Sequence, residues 1–130
     1  MNEIQVPIAP GELLDKITIL RIKSARMREA AKLANVRHEL ALLEATWRAA
    51  VAAPERVRRD EQALEAVNQR LWVIEDDIRA CEAARDFGPR FIELARSVYI
   101  ENDERAAIKR RINLALGSTI VEEKSYQPYR

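Results

Sequence analysis

At 130 residues the chain can build one modest core and is too short for two independent ones. Its 48% apolar and 33% charged residues exclude a disordered polyelectrolyte, and a formal net charge of +1 excludes a global field that would draw in nucleic acid or an anionic membrane. Gly 3 and Pro 5 leave few tight turns while Ala, Leu, Glu and Arg abound, which predicts an all-α protein.

No stretch approaches the roughly 20 apolar residues of a membrane span, and residues 1–7 show neither a basic nor an apolar leader pattern. A single cysteine, Cys81, excludes an internal disulfide framework. It falls on an apolar stripe, where a small buried thiol is expected, and it suits a reducing cytoplasm. One helical domain over 1–130 follows, with an extended segment 1–9 and a tail 118–130.

Residues 3–8 (EIQVPI) alternate polar and apolar and predict a short strand, which Pro7 and Pro10 restrict to an edge. Pro10 also suits the first turn of a helix, and Glu12 suits the positive end of its dipole. Helix one is expected from about Gly11 to Arg28, with Leu13, Ile17, Leu20 and Met27 on one face. At about 100° per residue, the next series, Leu33, Val36, Leu40, Leu43, Trp47 and Val51, lies nearly opposite. A break or change of partner between Arg28 and Asn35 is predicted, although whether residues 11–52 form one helix or two stays open.

Ala52-Ala53-Pro54-Glu55 reads as a turn. Leu64, Val67, Leu71, Ile74, Ile78 and Cys81 then follow the 3-4 spacing of a helix packed antiparallel on a neighbour. Asp86-Phe87-Gly88-Pro89 ends it, and Phe91, Leu94 and Val98 open a last helix that stops at Gly117. The expected architecture is an antiparallel four-helix bundle. Residues 33–52 and 56–86 form its long hairpin, and Thr119-Ile120-Val121 pairs with residues 4–8 as a minor two-stranded element. Trp47 and Trp72 lie near apolar stripes and predict a leftover apolar face, hence a homodimer.

The catalytic inventory is thin. One His38 and one Cys81 cannot make a Cys/His zinc site, and there is no Gly-rich phosphate loop, nucleophile elbow or dinucleotide fingerprint. His38, between Arg37 and Glu39, reads as a surface histidine. No cofactor is expected. The basic run 16–37 and the acidic run 60–86 read as helices side by side with paired rims.

The last helix bends the local rules. Continuing Phe91, Leu94 and Val98 at helical spacing places Asn102, Arg105 and Lys109 on the inward side. Buried charge must be paired or face a cavity. Two readings stay open. Arg105 and Lys109 form an internal network with Asp15, Glu12, Asp103, Glu104, Glu122 or Glu123. Alternatively, Asn102, Arg105 and Lys109, with Asp15, Lys16, Ser125 and Tyr126, line a pocket for a phosphate or carboxylate. The expected partner is therefore a protein or an anionic small molecule, with nucleic acid disfavoured.

Residues 10–20 (PGELLDKITIL), 32–36 (KLANV), 102–113 (NDERAAIKRRIN) and 122–126 (EEKSY) together resemble a family of uncharacterised bacterial proteins of about this length, a domain of unknown function (DUF6165). The resemblance spans nearly the whole chain. It implies a stand-alone small domain and brings no activity. A second, partial resemblance is to the all-helical chorismate mutases, whose site gathers Arg and Lys around a dicarboxylate. It implies that role for Arg21, Arg26 and Lys32, but the second basic cluster and acidic partner have no counterpart here. The functional expectation is a non-enzymatic interaction or anion-binding module, with a small helical enzyme as the alternative.

Overall fold

A computed structural model describes residues 3–130, and four helices account for its architecture: α1 Pro10–Arg26, α2 Ala30–Ala50, α3 Arg58–Ala83 and α4 Pro89–Ala115. The punctuation follows the chemistry of single residues. Pro10 opens α1 and Pro89 opens α4, each in the first turn where a missing N–H removes no helical bond. Pro54 opens a 3-10 turn, Pro54–Val57, that leads into α3.

Residues 11–52 form two helices. Met27 and Glu29 are extended between them, with no glycine or proline to enforce the break, at the point where the apolar stripe changes side.

Both long helices end in the same device. At the end of α4, Gly117 has φ +66, its N–H donates to the Leu114 carbonyl and the Ser118 N–H donates to the Asn113 carbonyl. At the end of α3, Arg85 takes the same left-handed conformation (φ 55), with N–H bonds from Arg85 to Glu82 and from Asp86 to Cys81. These are Schellman closures, which satisfy carbonyls that the helix leaves open.

The long antiparallel hairpin is α3 with α4, its register set by Arg111–Asp60, Arg70–Glu101 and Arg90–Asp77. That corrects the expected hairpin of 33–52 with 56–86. The backbone of α2 closely approaches that of α1 and makes no close approach to α3 or α4, whereas α1 packs against both. The charge runs consequently do not pair rim to rim. Between 16–37 and 60–86 the ion pair is Arg21–Glu61 at 2.8 Å, with Glu44 of α2 joining at 3.7 Å.

The core gathers Leu13, Leu14 and Ile17 of α1, Trp47 of α2, Val57, Leu64, Val67 and Leu71, and Ile108 and Ile112 of α4. Trp47 is thus spent inside the chain, not on a leftover face, and Trp72 is half-buried. Cys81 is also half-buried, a correction to its expected burial. The α3 stripe is buried at Leu64, Val67 and Leu71, where α1 bonds reach Glu61 and Asn68, and only half-buried at Ile74, Ile78 and Cys81 beyond them.

No strand forms among the described residues. Ile4, Val6 and Ile8 are exposed. In the segment expected to pair with them, the Ser118 hydroxyl donates to the Ile120 carbonyl and accepts from its N–H, a local turn that takes both groups from any ladder. Among the described residues, no helix is long and apolar enough to cross a membrane.

Candidate functional site

α1 meets α4 at very short range, and Gly11 makes this possible. A Cβ there would lie 2.5 Å from the Lys109 carbonyl oxygen and 2.8 Å from Asn113 Oδ1. Ala9, the residue before α1, has no side chain that can cap it. The cap comes instead from α4, where buried Asn113 accepts the Gly11 N–H at 2.7 Å.

One turn further along α1, Asp15 is 2% exposed. Its carboxylate accepts two bonds from the Arg105 fork, Nε to Oδ1 at 2.8 Å and Nη2 to Oδ2, and a third from Asn68 Nδ2 at 3.0 Å. The second Asn68 donor reaches Thr18 Oγ1 at 3.0 Å, and that hydroxyl donates to the Asp15 carbonyl. Every buried side-chain nitrogen and oxygen among the described residues has a partner. Burial pushes the Asp15 carboxyl up, but bonds from Arg105 and Asn68 and the charges of Arg105 and Lys109 outweigh it, and the net shift is downward. The bond to Asp15 raises Arg105 in turn, against its own burial.

Lys109 lies one turn beyond Arg105 and is 14% exposed. Its Nζ meets Glu12 at 2.7 Å, Glu122 of the tail at 3.6 Å and Asp15 at 3.9 Å. The inward charges of α4 therefore face acidic side chains, chiefly on α1. Asn102 supports them, donating to the Val98 carbonyl and accepting from Arg105 at 3.3 Å.

These residues also form one wall of a groove. The tail lies along α4 through Glu122 with Lys109, Glu123 with Arg110, and Tyr129, whose hydroxyl bonds Asp103 and whose ring meets Tyr99 edge to face at 4.9 Å. Between tail and helix is a space of about 860 Å³ lined by Asn102, Arg105, Lys109, Lys124, Tyr99, Tyr126 and Tyr129 among others. A second space of about 350 Å³ lies on the other side of Glu12 and Lys109, between Ala9 and residues 122–124. The start of α1 and residues 122–124 of the tail thus meet beside α4, with no strand among the described residues.

Of the residues singled out in the sequence, Asn102, Arg105, Lys109 and Tyr126 line the larger groove, and Asp15 lies behind Arg105. Lys16 is half-exposed and pairs with Glu12 at 3.7 Å, and neither it nor exposed Ser125 lines either groove. Arg21, Arg26 and Lys32 line neither. His38 is exposed, and no group of three His, Cys, Asp or Glu side chains fit for a metal occurs among the described residues. Asn68, Thr18 and Asn113 were missed, although their signal was present. Each is a polar residue beside the inward positions Val67, Ile17 and Ile112.

These features define a small all-helical protein with an internal ion-pair network behind a tail-covered groove. The chain belongs to the DUF6165 family, a family of unknown function whose sequence profile matches residues 4–129. No curated protein and no solved structure matches it.

Proposed function

We propose that this protein is a non-enzymatic binding module whose groove between α4 and the tail takes a small molecule with one anionic group. The observation that carries this reading is the convergence of Lys109, Lys124 and Asn102 with Tyr99, Tyr126 and Tyr129 on a single space of about 860 Å³. That volume suits a small ligand, with tyrosine faces for an apolar body and ammonium groups for a charged end. A role without chemistry agrees with the buried pair, since Asp15 is shifted down and Arg105 up, away from the neutral range that acid–base catalysis uses. Arg105, clasped by Asp15, serves as a positioning residue, which leaves Lys109 and Lys124 to meet the anion. The half-exposed Cys81 thiol fits a reducing, cytoplasmic setting, and the exposed Val73, Phe87 and Ile92 of the hairpin fit self-association.

Titration with phenyl phosphate, followed by melting temperature and calorimetry, tests the reading. Saturating ligand should raise the melting temperature. Lys124→Ala and Tyr126→Ala, both at exposed positions, should weaken binding while leaving the unliganded melting temperature unchanged. No response at millimolar phenyl phosphate, or full binding by both variants, would rule the groove out.

A further inference from the structure

Four cations, Arg105, Lys109, Lys124 and, from outside the groove, Lys16, meet three carboxylates, Asp15, Glu12 and Glu122. Two of the carboxylates belong to α1 and are held by the packing of α1 on α4. The third belongs to the tail, which has no regular secondary structure, and its side chain is 48% exposed. Glu122 bridges the two ammonium groups, one oxygen 3.6 Å from Lys109 Nζ and the other 2.7 Å from Lys124 Nζ. Its departure would leave the Lys124 ammonium without its carboxylate, open to the groove.

We infer that the Glu122 carboxylate occupies the anion seat of this groove, and that the ligand presents one oxyanion group, a carboxylate or phosphate ester, that takes its place. The inference rests on the reading of the groove as a binding site and adds to it the subsite, the ligand group that fills it and the competitor. The tail is held to α4 by polar contacts and by exposed aromatic edges, each weak on its own, so exchange does not disturb the core. A tethered carboxylate acts at an effective concentration on the order of millimolar. The ligand therefore binds more weakly than the seat alone would allow.

Glu122→Gln keeps the side chain's shape and removes its charge, while Glu12 and Asp15 still hold Lys109. The control is Glu123→Gln, which removes the same charge from the neighbouring residue that pairs with Arg110. With phenyl phosphate, and with phenylacetate as the carboxylate form, calorimetry should give a Kd about tenfold lower for Glu122→Gln, as expected when a competing closed state is removed. Glu123→Gln should match the unmodified protein. Binding that is unchanged or weakened in Glu122→Gln, or tightened equally in both variants, overturns the inference and leaves the groove standing as a binding site. Absence of binding in all three proteins overturns both.

Discussion

Arg105 of α4 clasps the carboxylate of Asp15 with two parallel hydrogen bonds, across 90 positions of sequence and at a point where Asp15 is almost fully buried. Removing one partner of such a pair leaves the other's charge uncompensated, which costs about 3–5 kcal/mol in a fully buried site. Arg105 keeps 29% of its side chain exposed, so Asp15→Asn should cost about 3 kcal/mol, toward the low end of that range. The pH dependence follows from the downward shift of Asp15 from 3.8. The unfolded chain binds the proton more readily, so the pair's contribution is complete above 3.8 and is lost as pH falls through the lower folded value. Urea unfolding across the acid range should show a steeper loss of stability in the unmodified protein than in Asp15→Asn. Parallel acid limbs would show that Asp15 is not the titrating group.

Gly11→Ala sets helix propensity against packing. Alanine is favoured over glycine by about 1 kcal/mol in a helix interior. Its Cβ, however, would sit 2.5 Å from a backbone oxygen of α4, which cannot swing aside as a side chain could. Overpacking of this kind costs about 1–3 kcal/mol, and the rigid neighbour places this site at the upper end. A net loss of about 1–2 kcal/mol is expected. Asn113→Ala, which leaves the Gly11 N–H without its acceptor, should cost about 1–2 kcal/mol. Chemical denaturation of both variants checks the ranking, and a stabilised Gly11→Ala would refute the close approach.

Arg85→Gly should stabilise the protein. Arg85 holds φ 55 in an exposed helix closure and makes no ion pair there. The left-handed conformation costs a non-glycine residue about 1–2 kcal/mol, and glycine returns about 0.5–1 kcal/mol of that through its freer unfolded chain. The net gain is about 0.5–1 kcal/mol, visible as a higher melting temperature. The equivalent change at the other closure, Gly117→Ala, should destabilise by a similar amount, because its φ is +66 and open space around the Cβ adds no packing effect to the same two terms.

Trp47→Ala tests whether α2, which touches only α1 along its backbone, is part of the same cooperative core. Loss of a buried Trp costs about 3–5 kcal/mol. Trp72→Ala, at a half-buried position, should cost clearly less. If the two losses are equal, α2 does not contribute to the main core in solution.

Much of the fold was legible in particular residues. Pro10, Pro54, Gly88-Pro89 and Gly117 marked helix ends because each has a backbone property that no neighbour can override. The switch of apolar stripe marked a break between Arg28 and Asn35, and the structure puts it at the early edge of that window, over residues 27–29. Spacing also turned Asn102, Arg105 and Lys109 inward, since about five turns of periodicity from Phe91 to Lys109 leave them no other face. Asn68 and Thr18 carried the same signal beside Val67 and Ile17.

The rest was decided by tertiary structure. Periodicity states which face of a helix is covered and is silent about what covers it. The stripe of α2 fits α1 as well as α3, and the extended residues 27–29 lay it on α1. A short alternating segment such as residues 3–8 needs a partner to become a strand, and the turn at Ser118 withdraws the one on offer. Sequence alone determined that charges on α4 point inward. Only the packing of α1 on α4, with Gly11 against the Lys109 carbonyl, decided that they meet Asp15 and Glu12, because which side chains pair across 90 positions depends on which helices lie side by side.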